Sequence, residues 1–171
     1  LEPRSPESLN DEVVATLERH QANHEESARA LRGFRRRELL RIALSSMVGV
    51  SDIEQVGRAL TDLHREFIRG VLSLSIREAD GIEFAIIAMG RLGGSELSFA
   101  SDLDIVYVFR DVGAGDAGHS IAEGVVKSIS RFSEDPLFPL HLDAGLRPEG
   151  KNGPIVRSIE AYSAYYERWA L

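Results

Sequence analysis

FAIIAMGRLGGSELSFASDLDIVYVF, residues 84–109, runs from an Ile- and Ala-rich stretch through glycines at 90, 93 and 94 and a polar connector into a second apolar stretch, IVYVF, directly behind Asp102 and Asp104. Short apolar runs bounded by Gly and Ser predict strand, turn, strand. Side chains on a strand alternate faces, so Asp102 and Asp104 are expected to point the same way, with Leu103 turned into the core. Both carboxylates then stand at the mouth of a sheet beside an open backbone turn.

Two carboxylates that converge within a few ångströms repel each other unless a cation or a shared proton lies between them. Hard oxygens suit Mg²⁺, which keeps several waters and takes one or two carboxylates plus substrate phosphates. Gly93, Gly94 and Ser95 supply the complement: glycines let backbone N–H groups approach an anion, and Ser95 adds a hydroxyl. A short helical turn over 95–99 would aim its N-terminus at the same phosphates. Glycine turn plus D-x-D thus reads as a site for a metal-bound nucleoside triphosphate. The plainer reading, a turn before a strand and a loop with flexible glycines, explains the same residues and stays open here, since D-x-D alone is common. The dinucleotide fingerprint does not apply: G-x-x-G-G lacks the order G-x-G-x-x-G, and no acid closes a second strand about 20 residues on.

A second polar cluster follows in LDAGLRPEGKNGPIVRS, residues 142–158. Asp143, on a short strand after Pro136 and Pro139, is a candidate third carboxylate or else a strand-edge acid. A third acid would complete a ligand set for two ions, one holding the triphosphate and one activating the attacking hydroxyl. Arg147 and Lys151 lie close enough in sequence to Asp143 to neutralise phosphate charge; for Arg147 the alternative is a salt bridge to one of the acids. Pro148 and Gly150 make the segment a turn.

AMGRLGGSELSFASDLDIVYVF resembles the nucleotidyltransferase signature of the glutamine synthetase adenylyltransferase/adenylyl-removing enzyme family. LDAGLRPEGKNGPIVRS, with the YSAYYERWA that follows, resembles that family's second block. The two blocks are long and ordered, and the similarity extends over the helices before them. The resemblance implies an α+β fold, a polymerase-beta-like nucleotidyltransferase sheet with a preceding helical subdomain. It implies ATP over Gly93, Gly94 and Ser95, and Mg²⁺, as two ions, on Asp102, Asp104 and Asp143, with Asp143 assisting the nucleophile. Members of the family transfer AMP from ATP to a tyrosine hydroxyl of glutamine synthetase, and the other half of such enzymes removes it by phosphorolysis with the same acidic triad. The implied partners are therefore glutamine synthetase and a PII-type signal protein. RRRELLRIALSSMVG and RPEGKNGPIVRS look more like the adenylylating, C-terminal half of actinobacterial members. A non-catalytic module of the same fold is the competing class, and three retained acids count against it.

The 171 residues suffice for one domain with a substantial core, and 43% apolar content supports a folded protein. Without cysteine there are neither disulfides nor thiolate metal sites, which fits a cytoplasmic setting. No run approaches the roughly 20 apolar residues that span a bilayer, and a net charge of −7 argues against non-specific nucleic-acid binding. Of 20 basic residues only Lys127 and Lys151 are lysines, so anion recognition falls mainly to arginine. A start at Leu1 and a helical YYERWAL ending suggest a piece of a larger, two-half enzyme.

Residues 1–80 are expected to form a helical N-terminal region and 81–171 the nucleotidyltransferase domain. Residues 1–10 read as a linker, with a helix from Asp11 carrying Val14 and Leu17. His20 and His24 superficially match H-E-x-x-H, but Gln21 stands where the glutamate belongs, which favours a solvated helix. A second helix over 25–48 should bury Leu31, Phe34, Leu39, Ile42 and Met47, with Arg35, Arg36 and Arg37 either solvated or docking an acidic surface or neighbouring domain. Ser51 and Glu54 read as a capping box ahead of an amphipathic helix carrying Ile53, Val56, Leu60, Leu63, Phe67, Val71 and Leu74. Residues 110–120 suggest a mobile loop, 121–132 a helix, 155–157 an edge strand, and 159–171 a helix whose tyrosines and Trp169 fit core or interdomain packing better than the alternative, a base-stacking platform.

Overall fold

The computed structural model describes residues 2–169, and its secondary structure is mixed α+β, as expected. Three helices come first: α1 (Pro6–Arg19), α2 (His24–Met47) and α3 (Ile53–Ser75). The opening is helical sooner than its prolines suggest. Pro6 occupies the first helical position, where its missing N–H costs nothing, and Ser5 caps the turn by accepting from Ser8 N. Asn23 caps α2 by accepting from Glu25 N and Glu26 N. His20 and His24 thus fall on either side of a turn rather than on one helix face.

The capping box of α3 lies one residue later than the sequence reading placed it. Asp52 accepts from Gln55 N at 2.8 Å and Gln55 Oε1 accepts from Asp52 N at 2.9 Å. Ser51 is buried instead, 2.7 Å from the Ser45 hydroxyl, so it is not available as a cap. The one-residue shift puts Ile53 in solvent at 91% exposure, while Val56, Leu60, Leu63, Phe67, Val71 and Leu74 are buried. Met47, expected on the apolar side of α2, is 81% exposed. At Gly70 a Cβ would come within 2.8 Å of Val13 and 3.2 Å of Leu31, so the glycine sets how closely α1 and α2 approach α3.

The sheet is organised on β2 (Leu103–Asp111), which pairs antiparallel with β1 (Ile82–Ala88) along its length. On its other edge β2 pairs parallel with β3 (Leu142–Asp143) at its start and with β4 (Val156–Ser158) further along. A short turn of helix, α4 (Gly90–Gly93), joins β1 to the connector; α5 (Gly118–Ser133) and α6 (Ile159–Trp169) complete the order. Ala170 and Leu171, which the sequence reading included in the last helix, lie outside the described residues. The 110–120 segment is tied down: Asp111 accepts from Gly113 N and Ala114 N, and Gly81 O accepts from Val112 N and Ala114 N.

Leu103, Ile105, Tyr107 and Phe109 turn one face of β2 onto the helices, in one core continuous from Leu9 to Val156. Burial pushes the Tyr107 phenol up to about 12. The opposite face carries Val106 and Val108, covered by Tyr162 of α6. Among the described residues no helix is long and apolar enough to cross a membrane.

Two arginines of the α2 triplet tie that helix to the segment ahead of β3, and the third ties it to α1. Arg35 is 3% exposed and donates to Phe138 O and Pro139 O. Arg36 makes a fork onto the buried Asp135 carboxylate at 2.8 and 2.6 Å, and Arg37 pairs with Glu12. Burial works to raise the Asp135 carboxyl, but hydrogen bonds from Arg36, Leu137 N and Phe138 N outweigh it and hold it below the usual range. Of the two readings of the triplet, docking against a neighbouring element accounts for Arg35 and Arg36. The segment they grip leads directly into β3 and Asp143.

Candidate active site

Strand register brings two of the three acids together. Asp104 of β2 is the partner of Asp143 of parallel β3, as Leu103 is of Leu142, so Asp104 and Asp143 share one face. Alternation along β2 makes this the face of Val106 and Val108, away from α3 and α5. Asp102 sits one residue ahead of the strand, exposed, after a connector closed by Ser98 and Ser101, whose hydroxyls lie 2.9 Å apart. Asp143 Oδ1 accepts from Gly145 N at 2.7 Å, and a Cβ at Gly145 would stand 2.9 Å from that oxygen. The glycine therefore permits the turn that fixes the carboxylate.

The glycine corner differs in detail from the expected one. Helix forms over Gly90–Gly93 rather than 95–99, and Gly93 N and Gly94 N donate to Met89 O and Gly90 O. Those two N–H groups are spent within the turn, while the donors before them, from Gly90 on, have no backbone partner among the described residues. Ser95 takes the left-handed conformation, φ +61. Gly90, with φ +49, is the position at which only glycine fits, because a Cβ there would collide with Asp104 Oδ2. The close approach of corner and carboxylate depends on that missing side chain. Sequence reading saw Gly90 as a chain break; the signal for its role was its place directly after the β1 run.

Arg147 forms no pair with the acids. Its guanidinium donates to Ala144 O at 2.7 Å and to Gly153 O at 3.2 and 3.3 Å, closing the loop after β3 on itself. Lys151 is exposed on a 3-10 turn, Gly150–Asn152, in that loop. Among the described residues no three His, Cys, Asp or Glu side chains form a group that could hold a metal ion unaided. The donors at hand are hard carboxylate oxygens beside a backbone turn. They suit an ion that takes one or two carboxylates and completes its shell with water and ligand phosphates, as Mg²⁺ does.

Asp102 also lines the mouth of a cavity of about 370 Å³ between α2, the 98–102 connector and residues 138–141. Its floor holds Arg35 and His64, both buried. His64 Nδ1 lies 2.7 Å from Leu60 O, and burial lowers its pKa from 6.5 to about 4, so the ring is neutral at pH 7.

The sequence model of the family described as glutamate-ammonia ligase adenylyltransferase matches residues 1–171, and the chain belongs to that family. Three bifunctional glutamine synthetase adenylyltransferase/adenylyl-removing enzymes illustrate the relationship. That of Leifsonia xyli subsp. xyli is 51% identical over 176 residues, covering 100% of this chain and 17% of its own length. That of Cutibacterium acnes is 41% identical, covering 99% and 17%, and that of Streptomyces coelicolor 37% identical, covering 100% and 19%. This chain thus spans less than a fifth of each of these relatives.

Proposed function

We propose that this chain is a nucleotidyltransferase module that moves AMP from ATP onto a tyrosine hydroxyl of glutamine synthetase. The observation that carries the reading is the β2–β3 register, which sets Asp104 beside Asp143 with the Gly90 corner against Asp104. Family membership and the relatives' names support the choice of group transferred and of target. Asp104 and Asp143, with Asp102 adjacent, would hold Mg²⁺, whose chemistry is to neutralise charge on the phosphates and lower the pKa of a bound hydroxyl.

The chain's own residues supply placement and proton handling. Open N–H groups at the start of the Gly90–Gly93 turn and the Ser95 hydroxyl carry the phosphates. The tyrosine oxygen bonds to the α-phosphorus as the bond from that phosphorus to the bridging β-phosphate oxygen breaks, and pyrophosphate leaves. The phenol proton passes to Asp143, whose Oδ1 is already bonded to Gly145 N, leaving Oδ2 as the acceptor. Positioning and charge neutralisation account for most of the rate.

The test is incubation with glutamine synthetase, Mg²⁺ and labelled ATP, beside adenylylated synthetase with inorganic phosphate. Label on the synthetase is expected, lost on adding EDTA. Asp104→Asn should lower transfer at least about 100-fold without shifting the melting midpoint. ADP release from the adenylylated synthetase would assign the removing activity to this chain instead, and a folded protein with neither activity would be a non-catalytic module. An active Asp104→Asn protein sinks the site.

A further inference from the structure

Arg157 Nε and Tyr162 Oη are buried and have no hydrogen-bond partner among the described residues. Both lie on the sheet face of Asp104 and Asp143. Val108 shares that face with Asp104 by alternation and is the register partner of Arg157 on parallel β4. Tyr162 packs over Val106 and Val108. Arg157 acts on the phenol oxygen electrostatically: burial and Tyr166 push the Tyr162 pKa up, while Arg157 and Arg147 pull it back. A buried N–H or O–H donor without an acceptor is costly, so two together on one face mark a place built for an acceptor.

A third group shows what kind of acceptor fits. Arg157 Nη2 donates to Glu149 Oε2 at 2.7 Å, so part of the guanidinium already holds an oxyanion. Glu149 belongs to the turn after β3 and has a left-handed backbone, φ +63, unfavourable for a residue with a side chain. An acidic side chain on a strained turn therefore stands on one arm of the arginine while its Nε and the neighbouring phenol have nothing to bond. The guanidinium fork matches phosphate as well as carboxylate.

We propose that Arg157 and Tyr162 form a subsite for a phosphate-type oxyanion on the face of the candidate active site, and that the Glu149 carboxylate competes for it. The inference rests on the nucleotidyl-transfer reading only for the source of the anion, pyrophosphate leaving or inorganic phosphate entering. Four residues of strand separate Asp104 from Val108, roughly 13 Å, a span that an arginine side chain and a diphosphate bridge together. Arg147 gives its hydrogen bonds to loop carbonyls, which keeps the Glu149 turn in shape, and adds positive charge near the Tyr162 phenol.

Calorimetric titration of the chain with pyrophosphate, and separately with inorganic phosphate, both without Mg²⁺, tests the subsite apart from the carboxylates and tells the two anions apart. Tyr162→Phe should bind the preferred anion about tenfold more weakly yet melt no lower than wild type, because the lost hydroxyl had no partner. Glu149→Gln should bind it severalfold more tightly. A Tyr162→Phe protein that melts lower with unchanged affinity would show a structural role for the hydroxyl and overturn the proposal. So would unchanged affinity in Glu149→Gln, or a wild-type chain that binds neither anion. AMP transfer is measured separately: transfer with variant-insensitive anion binding sinks the subsite alone, and variant-sensitive binding without transfer sinks the proposed reaction alone.

Discussion

Replacing Gly90 with alanine tests the junction between the glycine corner and the acids. The residue has φ +49, and its Cβ would strike Asp104 Oδ2. Placing an L side chain in the left-handed region costs roughly 1–2 kcal/mol, and Asp104 must also turn aside. For a chain of this size each kcal/mol lowers the melting midpoint by about 2–4 °C, so the backbone cost alone should make Gly90→Ala melt roughly 2–8 °C below wild type. On the proposed function, displacing the Asp104 carboxylate by about an ångström should lower AMP transfer about 100-fold. Gly94→Ala is the control: its φ is −81 and the nearest atom to a new Cβ is Gly90 O at an ordinary 3.5 Å. It should stay within about 0.5 kcal/mol of wild type, on the stabilising side. Thermal melts and single-turnover transfer on the two variants decide the matter. If Gly90→Ala melts and turns over like Gly94→Ala, the collision does not shape the site and the reasoning fails.

Three further outcomes follow from the buried polar groups. His64 has its pKa lowered from 6.5 to about 4 by burial, so its contribution is complete above about pH 6.5 and is lost as pH falls toward 4. That gap corresponds to about 3 kcal/mol, and chemical denaturation at pH 7, 5.5 and 4 should show a flatter profile for His64→Gln; equal declines would contradict this. Asp135→Ala removes the partner of Arg36 and the acceptor for two backbone N–H groups. Arg36 is a third open to solvent, but the buried Arg35 also lies 3.8 Å from this carboxylate, so the expected loss is about 3–5 kcal/mol, that of a buried pair. Because its pKa is depressed, the Asp135 contribution is present above about pH 4 and disappears as pH falls through the lower folded value, so Asp135→Asn should lose stability at neutral pH and show less acid sensitivity below pH 4.

The central strand was legible because two short apolar runs flank a glycine break and a polar connector, and these runs become β1 and β2. Asp143 was found because a short apolar strand carried a single acid, and register then set it opposite Asp104. What was not legible depends on non-local contact. Nothing within α2 distinguishes Arg35 from a solvated arginine; Phe138 O and Pro139 O, about 100 positions on, decide it. The box at Asp52 and Gln55 was masked by an equally good pattern one residue earlier, until the Ser45–Ser51 contact removed Ser51 from contention. For Arg147, sequence cannot show that Ala144 O and Gly153 O accept from its guanidinium, in place of the salt bridge to an acid that its position also allowed. Arg157 reads only as part of an edge strand and Tyr162 only as a packing aromatic, because an unpaired donor is defined by what surrounds it in space.

The grip of Arg35 and Arg36 on residues 135–139 bears on any attempt to transplant this unit. A graft carrying the strands alone into a foreign host would arrive with the underside of β2 bare and the lead-in to Asp143 untethered. The smallest portable cassette therefore begins upstream, with the three helices that a purely catalytic inventory would discard.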